Sequence, residues 1–328
     1  MYGKNIFSEN ANKLIMQKSI SIIIPTYNGV QLLQEFLPSI AHTVAHSESV
    51  SDYEIILVDD ASTDTTIDYL NSVSIPNLKW FQNEKNSGFS ITMNKGIQEA
   101  QMELILMLNN DMLLADDYFE RTIPYFADTS LFGIYSEIRD RHGVQIIEGG
   151  KIPTFKHGMI HYKDILDSAT GNTLYLCGGN ALVDTQKIKE LKGFNELFSP
   201  FYFEDFDLSL RAWRKGWKCL YTNETHCNHC HSITIKTENK KEYIEQIFLR
   251  NRLLLNYLHS DNCTLCKLEC KLFFKKILCT LISSESHHKF LKSLQAFNEL
   301  KEKAQQKRKE EYLPLHPLKK ILKSIWNI

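Results

Sequence analysis

SISIIIP, residues 19–25, places Ile20, Ile22, Ile23 and Ile24 in one short β-branched run that stops at Pro25. A strand with one wet face would alternate apolar and polar residues. A near-continuous run predicts a strand buried on both faces, as in a parallel sheet. The residues that follow, 29–46, predict a helix with Leu32, Leu33, Phe36, Leu37 and Ile40 on one side. A second strand is expected over 53–58, ending at Asp59-Asp60, with Ser62 or Thr63 capping the next helix to about Ser72. Then come a short strand near 78–82, a helix over 90–100, and an apolar run at 104–108 that stops at Asn109-Asn110-Asp111. This alternation predicts an α/β fold, a mostly parallel sheet with helices on both faces.

Residues 128–176 carry no clear period and are expected to form strands and loops that cover the site. Residues 195–216 hold an acidic cluster followed by an amphipathic helix, and beyond Glu238 the pattern turns helical. The expected division is an N-terminal extension over 1–17, an α/β domain over 18–235 and a helical, basic C-terminal region over 236–328. The last helix, 317–326, puts Leu318, Ile321, Leu322, Ile325 and Trp326 on one face and Lys319, Lys320 and Lys323 on the other.

With 43% hydrophobic and 23% charged residues over 328 positions, the chain can bury an enzyme-sized core. A net charge of -1 argues against a nucleic-acid binder. The charge is uneven: 19 of the 38 Lys/Arg but only 10 of the 39 Asp/Glu lie from Lys236 onward, so that part carries about +9 and the rest about -10. Such a tail is expected to meet an anionic surface. No stretch reaches ~18 uncharged apolar residues, so no membrane span is expected. Residues 1–18 do not read as a signal peptide. A cytoplasmic location with eight reduced cysteines is expected. Cys227-x-x-Cys230 and Cys263-x-x-Cys266, with Cys270 nearby, have zinc-like spacing, but reduced cysteines also serve as small buried apolar residues.

Polar residues cluster where the strands end: Pro25-Thr26-Tyr27-Asn28, Asp59-Asp60-Ala61-Ser62 and Asn109-Asn110-Asp111. Ligands bind at this edge in open α/β sheets. The dinucleotide fingerprint G-x-G-x-x-G and the phosphate loop G-x-x-x-x-G-K-[ST] are both absent. A bound diphosphate would therefore be neutralised another way, and a divalent cation held by a carboxylate does so.

The segments SIIIPTYNG, ILVDDASTDTT, NEKNSGFSITMNKGI, LMLNNDM, CGGNALV, GFNELFSPFYFEDFDLSLR and the HCH pair near His229 together resemble the family-2 glycosyltransferases of the GT-A fold, in that family's order from about Ser19 to His231. The resemblance implies a Rossmann-like sheet, a nucleotide-diphospho-sugar donor, Mn2+ or Mg2+, and inversion at the anomeric carbon. It implies that Pro25, Thr26 and Tyr27 contact the nucleotide, that Asp59 and Asp60 read base and ribose, and that Asn86, Gly88 and Asn94 pack beneath it. Asn109-Asn110-Asp111 matches the family's D-x-D position, with Asn in place of the first Asp. That leaves Asp111 as the carboxylate ligand, and this form resembles rhamnosyltransferase-like members. His229, or alternatively His231, is implied as a metal ligand. Asp205 is implied as the catalytic base with Glu204 beside the acceptor, and Gly178-Gly179-Asn180 as a close-approach loop on the acceptor side.

The implied activity is transfer of a hexosyl or deoxyhexosyl group to a glycan or lipid-linked acceptor in surface polysaccharide or lipopolysaccharide synthesis. A nucleotidyltransferase would carry a Gly-rich, Arg/Lys-containing loop after the first strand, which PTYNGV is not. A catalytically silent nucleotide-sugar or glycan-binding subunit is the other alternative, and the intact Asp111 and Glu204-Asp205 argue against it. The last helix is expected to lie on the inner face of the cytoplasmic membrane, its competing role being packing on the catalytic domain.

Overall fold

The computed structural model describes residues 15–156, 159–230, 240–281 and 285–326. The strands are β1 (Lys18–Thr26), β2 (Val50–Asp59), β3 (Leu78–Gln82), β4 (Leu104–Leu108), β5 (Met112–Leu114), β6 (Leu131–Asp140), β7 (Ile146–Glu148), β8 (Gly150–Lys156), β9 (Met159–Ile165), β10 (Gly171–Asn172), β11 (Asn180–Asp184) and β12 (Lys218–His229). The helices are α1 (Val30–His46), α2 (Thr66–Ser72), α3 (Phe89–Glu99), α4 (Tyr118–Thr122), α5 (Thr185–Glu190), α6 (Glu204–Arg214), α7 (Lys241–His259), α8 (Asn262–Leu281), α9 (Glu285–Lys307) and α10 (Leu318–Trp326).

The main sheet runs β10-β12-β6-β11-β4-β1-β2-β3, with β5 added to β12 and β7 to β6. β1 is central and parallel to both β2 and β4, and β12 is parallel to β6. β11 is antiparallel to both of its neighbours. The isoleucine run explains the layering. Ile20, Ile22 and Ile24 pack with Leu33, Phe36, Leu37 and Ile40 of α1, whereas Ile23 packs with Met93 and Ile97 of α3. Period-2 alternation thus sends the strand's side chains into two separate cores, one under each helical layer.

One expected helix start is displaced. Neither Ser62 nor Thr63 caps α2, which begins at Thr66. Ser62 accepts the Asn28 amide through its hydroxyl, and Thr63 donates its own amide to Asn28 Oδ1. Their side chains knit the tips of β1 and β2 instead, a competition with capping that these residue types permit.

The C-terminal helices fold back onto the sheet domain. Asp207 of α6, fully buried, is held by Arg211 at 2.8 Å, His259 of α7 at 2.9 Å and the Tyr312 hydroxyl at 2.7 Å. Burial alone would raise the Asp207 pKa, but these partners hold it down to about 2. The membrane role expected of α10 is not what its apolar face does. Ile321, Leu322 and Ile325 are buried in the core beneath β8 and α6, so the face a lipid would need is already covered.

Candidate active site

The tips of β1, β2 and β4 form one polar edge. The Asp60 amide donates to Thr26 O at 2.8 Å, and Asn110 Nδ2 donates to Thr26 Oγ1 at 2.9 Å. Asp59 is fully buried and accepts from the Ser62 amide at 3.0 Å and Gln82 Nε2 at 3.1 Å. Asp60 accepts from the amides of Ser87 and Gly88 and from Asn83 Nδ2, each at 2.8 Å. Both carboxylates therefore shape the loops that frame the edge, and Asp60 fixes the turn at Gly88. Gly88 has φ 86 and lies so close to Pro200 that a Cβ would come within 2.7 Å of its Cα.

The second feature is an acid–imidazole pair. β5 follows Asp111 directly and pairs with β12, with Met112 opposite His229. That register brings Asp111 Oδ2 to 3.1 Å from His229 Nε2. Asp111 is 7% exposed, and its Oδ1 is buried with no hydrogen-bond partner among the described residues. A carboxylate oxygen without a hydrogen-bond partner among the described residues, beside an imidazole, fits a divalent cation, and the imidazole suits Mn2+ better than Mg2+. Among the described residues no third His, Cys, Asp or Glu joins them.

The third feature is the acidic start of α6. Tyr202 and Phe203 precede it with φ 75 and 73, two consecutive non-glycine residues in the left-handed region. α7 holds this conformation: Asn251 Nδ2 donates to the carbonyls of Phe198 at 2.6 Å, Phe201 at 2.9 Å and Tyr202 at 2.9 Å. Burial raises the Glu204 pKa well above its ordinary value, with the charges of Asp205 and Asp207 adding to it. Burial also pushes Asp205 up to about 6, against the amides of Phe206 and Gly178 and the cation of Lys151, which favour the charged form. Lys151 is 2% exposed, bridges Glu148 at 2.8 Å and Asp164 at 3.0 Å, and lies over the rings of Tyr135 and Tyr175. A carboxylate with its pKa lifted toward neutrality is suited to general-base work.

A glycine pair joins the second and third features. A Cβ on Gly178 would lie 3.6 Å from the Asp205 Cβ, and one on Gly179 would lie 2.9 Å from Asn109 Nδ2. The Asn109 amide donates to Gly179 O at 3.0 Å. One two-residue segment therefore touches Asp205 on one side and Asn109 and Met112, which flank Asp111 in sequence, on the other.

The family profile for glycosyl transferase family 2 matches residues 21–192, more than half of the chain. The chain belongs to this family. It is 31% identical over 114 residues to an uncharacterized glycosyltransferase of Haemophilus influenzae, covering 34% of this chain and 44% of that one. To the O-antigen chain rhamnosyltransferase RfbN of Salmonella typhimurium it is 23% identical over 243 residues, 70% of this chain and 72% of that one. The chain spans between 14% and 52% of the length of the first three curated relatives it matches. Its fold is like that of a mannosyltransferase from Pyrobaculum calidifontis solved with GDP-Man and Mn2+, with a TM-score of 0.53 at 15% identity over 94% of this chain and 86% of that one.

Of the residues that the family-2 resemblance singled out, contacts join Thr26 with Asn110 and, through its backbone, with Asp60, Asp60 with Gly88, Asp111 with His229, Gly178 with Asp205 and Gly179 with Asn109, while Asp59 is buried at the tip of β2 and Glu204 begins α6. Pro25 and Tyr27 are partly exposed at the end of β1, and Asn86 is exposed on the turn that Asp60 holds. Two others turn their side chains to partners within the protein. The Asn94 amide is committed to Phe194 O at 3.0 Å and Glu196 at 2.9 Å, which ties α3 to the approach to α6. The side chain of Asn180 points into the interior, where its Nδ2 donates to Ser136 Oγ at 3.0 Å. Once β11 begins, alternate residues face opposite sides, so Asn180 leaves the site that Gly178 and Gly179 border. His231 lies outside the described residues. Cys227 is buried in the core beneath β12, and Cys263, Cys266 and Cys270 are exposed on α8. Sequence reasoning missed Asn251 and Lys151. The signal for Asn251 was an asparagine between two arginines inside an apolar helical pattern.

Proposed function

We propose that this family-2 glycosyltransferase moves a sugar from a nucleotide-diphospho-sugar to an acceptor hydroxyl, with inversion. The observation that supports the reading is the Asp111–His229 pair, with Gly178 beside Asp205 and Gly179 beside Asn109 and Met112, the residues that flank Asp111 in sequence. Asp205 takes the acceptor hydroxyl proton as the oxygen bonds to the anomeric carbon and the bond to the diphosphate breaks. Glu204, held more strongly protonated by burial, donates a hydrogen bond toward the acceptor. Asp111 and His229 would hold the divalent cation, which when bound offsets the charge that builds on the leaving diphosphate. Thr26, Tyr27 and the turn held by Asp60 receive the nucleoside. The similarity to the O-antigen rhamnosyltransferase favours a deoxyhexose donor and a surface-polysaccharide acceptor, with the reaction on the cytoplasmic side, where nucleotide sugars are available. Domain limits of 18–235 for the catalytic unit and 236–328 for the helical unit are part of this reading.

Calorimetry with nucleoside diphosphates tests it. Wild type is expected to bind UDP or dTDP at least tenfold more tightly with Mn2+ than in EDTA, and Asp111→Ala is expected to lose that gain. Equal affinity in EDTA would remove the cation from the site.

A further inference from the structure

α8 is apolar on two opposite sides. One side is spent: Leu268 and Cys279 are buried, and Leu265 and Leu272 pack against the core. The other side faces solvent, where Phe273 is 61%, Phe274 69%, Ile277 42% and Leu278 52% exposed. At about 100° per residue these four cover a band of roughly 140°. Lys267, Lys271, Lys275 and Lys276 are exposed along the same helix. The Lys275 ammonium sits 4.2 Å from the centre of the Phe290 ring, at the side of the helix nearest α9. The helix carries one acidic residue after its first turn, Glu269, and Lys301 of α9 neutralises it at 2.8 Å. α8 therefore shows solvent two adjacent phenylalanines and two aliphatic residues, with exposed lysines along the same helix.

We propose that this face of α8 docks on an anionic phospholipid surface. A lipid interface takes a broad apolar band with aromatic residues and a cationic margin. A second copy of the chain fits less well. A two-helix seam is narrower than this band, and two such faces would bring like charges together. The role expected of α10 from its sequence thus passes to a helix whose apolar band is open. The helix is not long and apolar enough to span a bilayer, so the contact is interfacial. The docking surface is independent of the transfer chemistry.

Flotation of the full chain with vesicles tests this. Wild type is expected to partition onto vesicles of phosphatidylcholine with phosphatidylglycerol, weakly onto phosphatidylcholine alone, and less as salt rises from roughly 0.05 M to 0.5 M. Phe273→Ser/Phe274→Ser should weaken partition ~10-fold or more, and Lys267→Glu/Lys276→Glu, which leaves the apolar band intact, should do likewise. All four side chains are exposed, so the thermal midpoint of each variant should match wild type and report an intact fold. Equal partition of wild type and both variants would overturn the proposal. So would a dimer that Phe273→Ser/Phe274→Ser dissociates while wild type ignores anionic vesicles, an outcome that assigns the face to a second copy.

Discussion

Asn251→Ala isolates the link between the helical region and the acidic pair. The side chain is fully buried, and its two N–H groups serve three carbonyls of the loop that leads into α6. Two hydrogen bonds at about 1 kcal/mol each, plus about 1 kcal/mol for a carbonyl left dry, give a loss of about 3 kcal/mol. The loop also stores strain, since Tyr202 and Phe203 in the left-handed region cost about 1–2 kcal/mol each. Released from Asn251, the loop can relax and recover part of that cost, so net destabilisation should be about 1–3 kcal/mol. Relaxation moves the residues adjoining Glu204 and Asp205, and a misplacement of about 1 Å costs up to ~10²-fold in rate. Urea unfolding gives the first quantity and single-turnover transfer the second. Cation-assisted nucleotide affinity should change little, because Asp111 and His229 rest on β5 and β12. A variant destabilised as expected but unchanged in transfer rate would refute the idea that Asn251 positions the acidic pair.

The transfer rate should also depend on pH through Asp205. Its pKa is lifted to about 6 by burial, and the base must be deprotonated, so kcat should plateau above about pH 7 and fall about tenfold per unit below pH 6. Lys151 favours the charged form of Asp205, so Lys151→Met should move this limb to higher pH, as a pH–rate profile would reveal. Gly179→Ala puts a methyl 2.9 Å from both Asn109 Nδ2 and Met112 Cε. Relieving that overlap by shifting the segment should cost about 1–3 kcal/mol, with Mn2+–nucleotide affinity falling ~10-fold in calorimetry.

The sheet was legible because burial on two faces leaves a mark in composition. The isoleucines of β1 could not all be apolar if one face were wet. The strand-end residues were legible as a group for the same topological reason, since consecutive parallel strands end on one edge. What each does was less legible. Asp60 and Asn94 carry side chains equally suited to a ligand or a loop, and only the structure shows their bonds to Ser87, Gly88, Phe194 and Glu196. Lys151 lay in a stretch with no period, so nothing announced a buried cation near Asp205. α10 shows the limit most clearly. An apolar face beside a cationic one reads alike whether lipid or protein covers it, and the packing of Ile321, Leu322 and Ile325 decides. Conversely, α8 is apolar on two sides in sequence, and only the structure shows which of them is covered and which is open.

Asp205→Asn tests the central claim most directly. It keeps the shape of the side chain and the amide contacts at the start of α6 while removing the base. Nucleotide-sugar binding with Mn2+ present should stay within a few-fold of wild type, while single-turnover transfer to the acceptor should fall by ~10² or more. Near-normal transfer by Asp205→Asn, with binding intact, would contradict the assignment and take Asp205 out of the reaction.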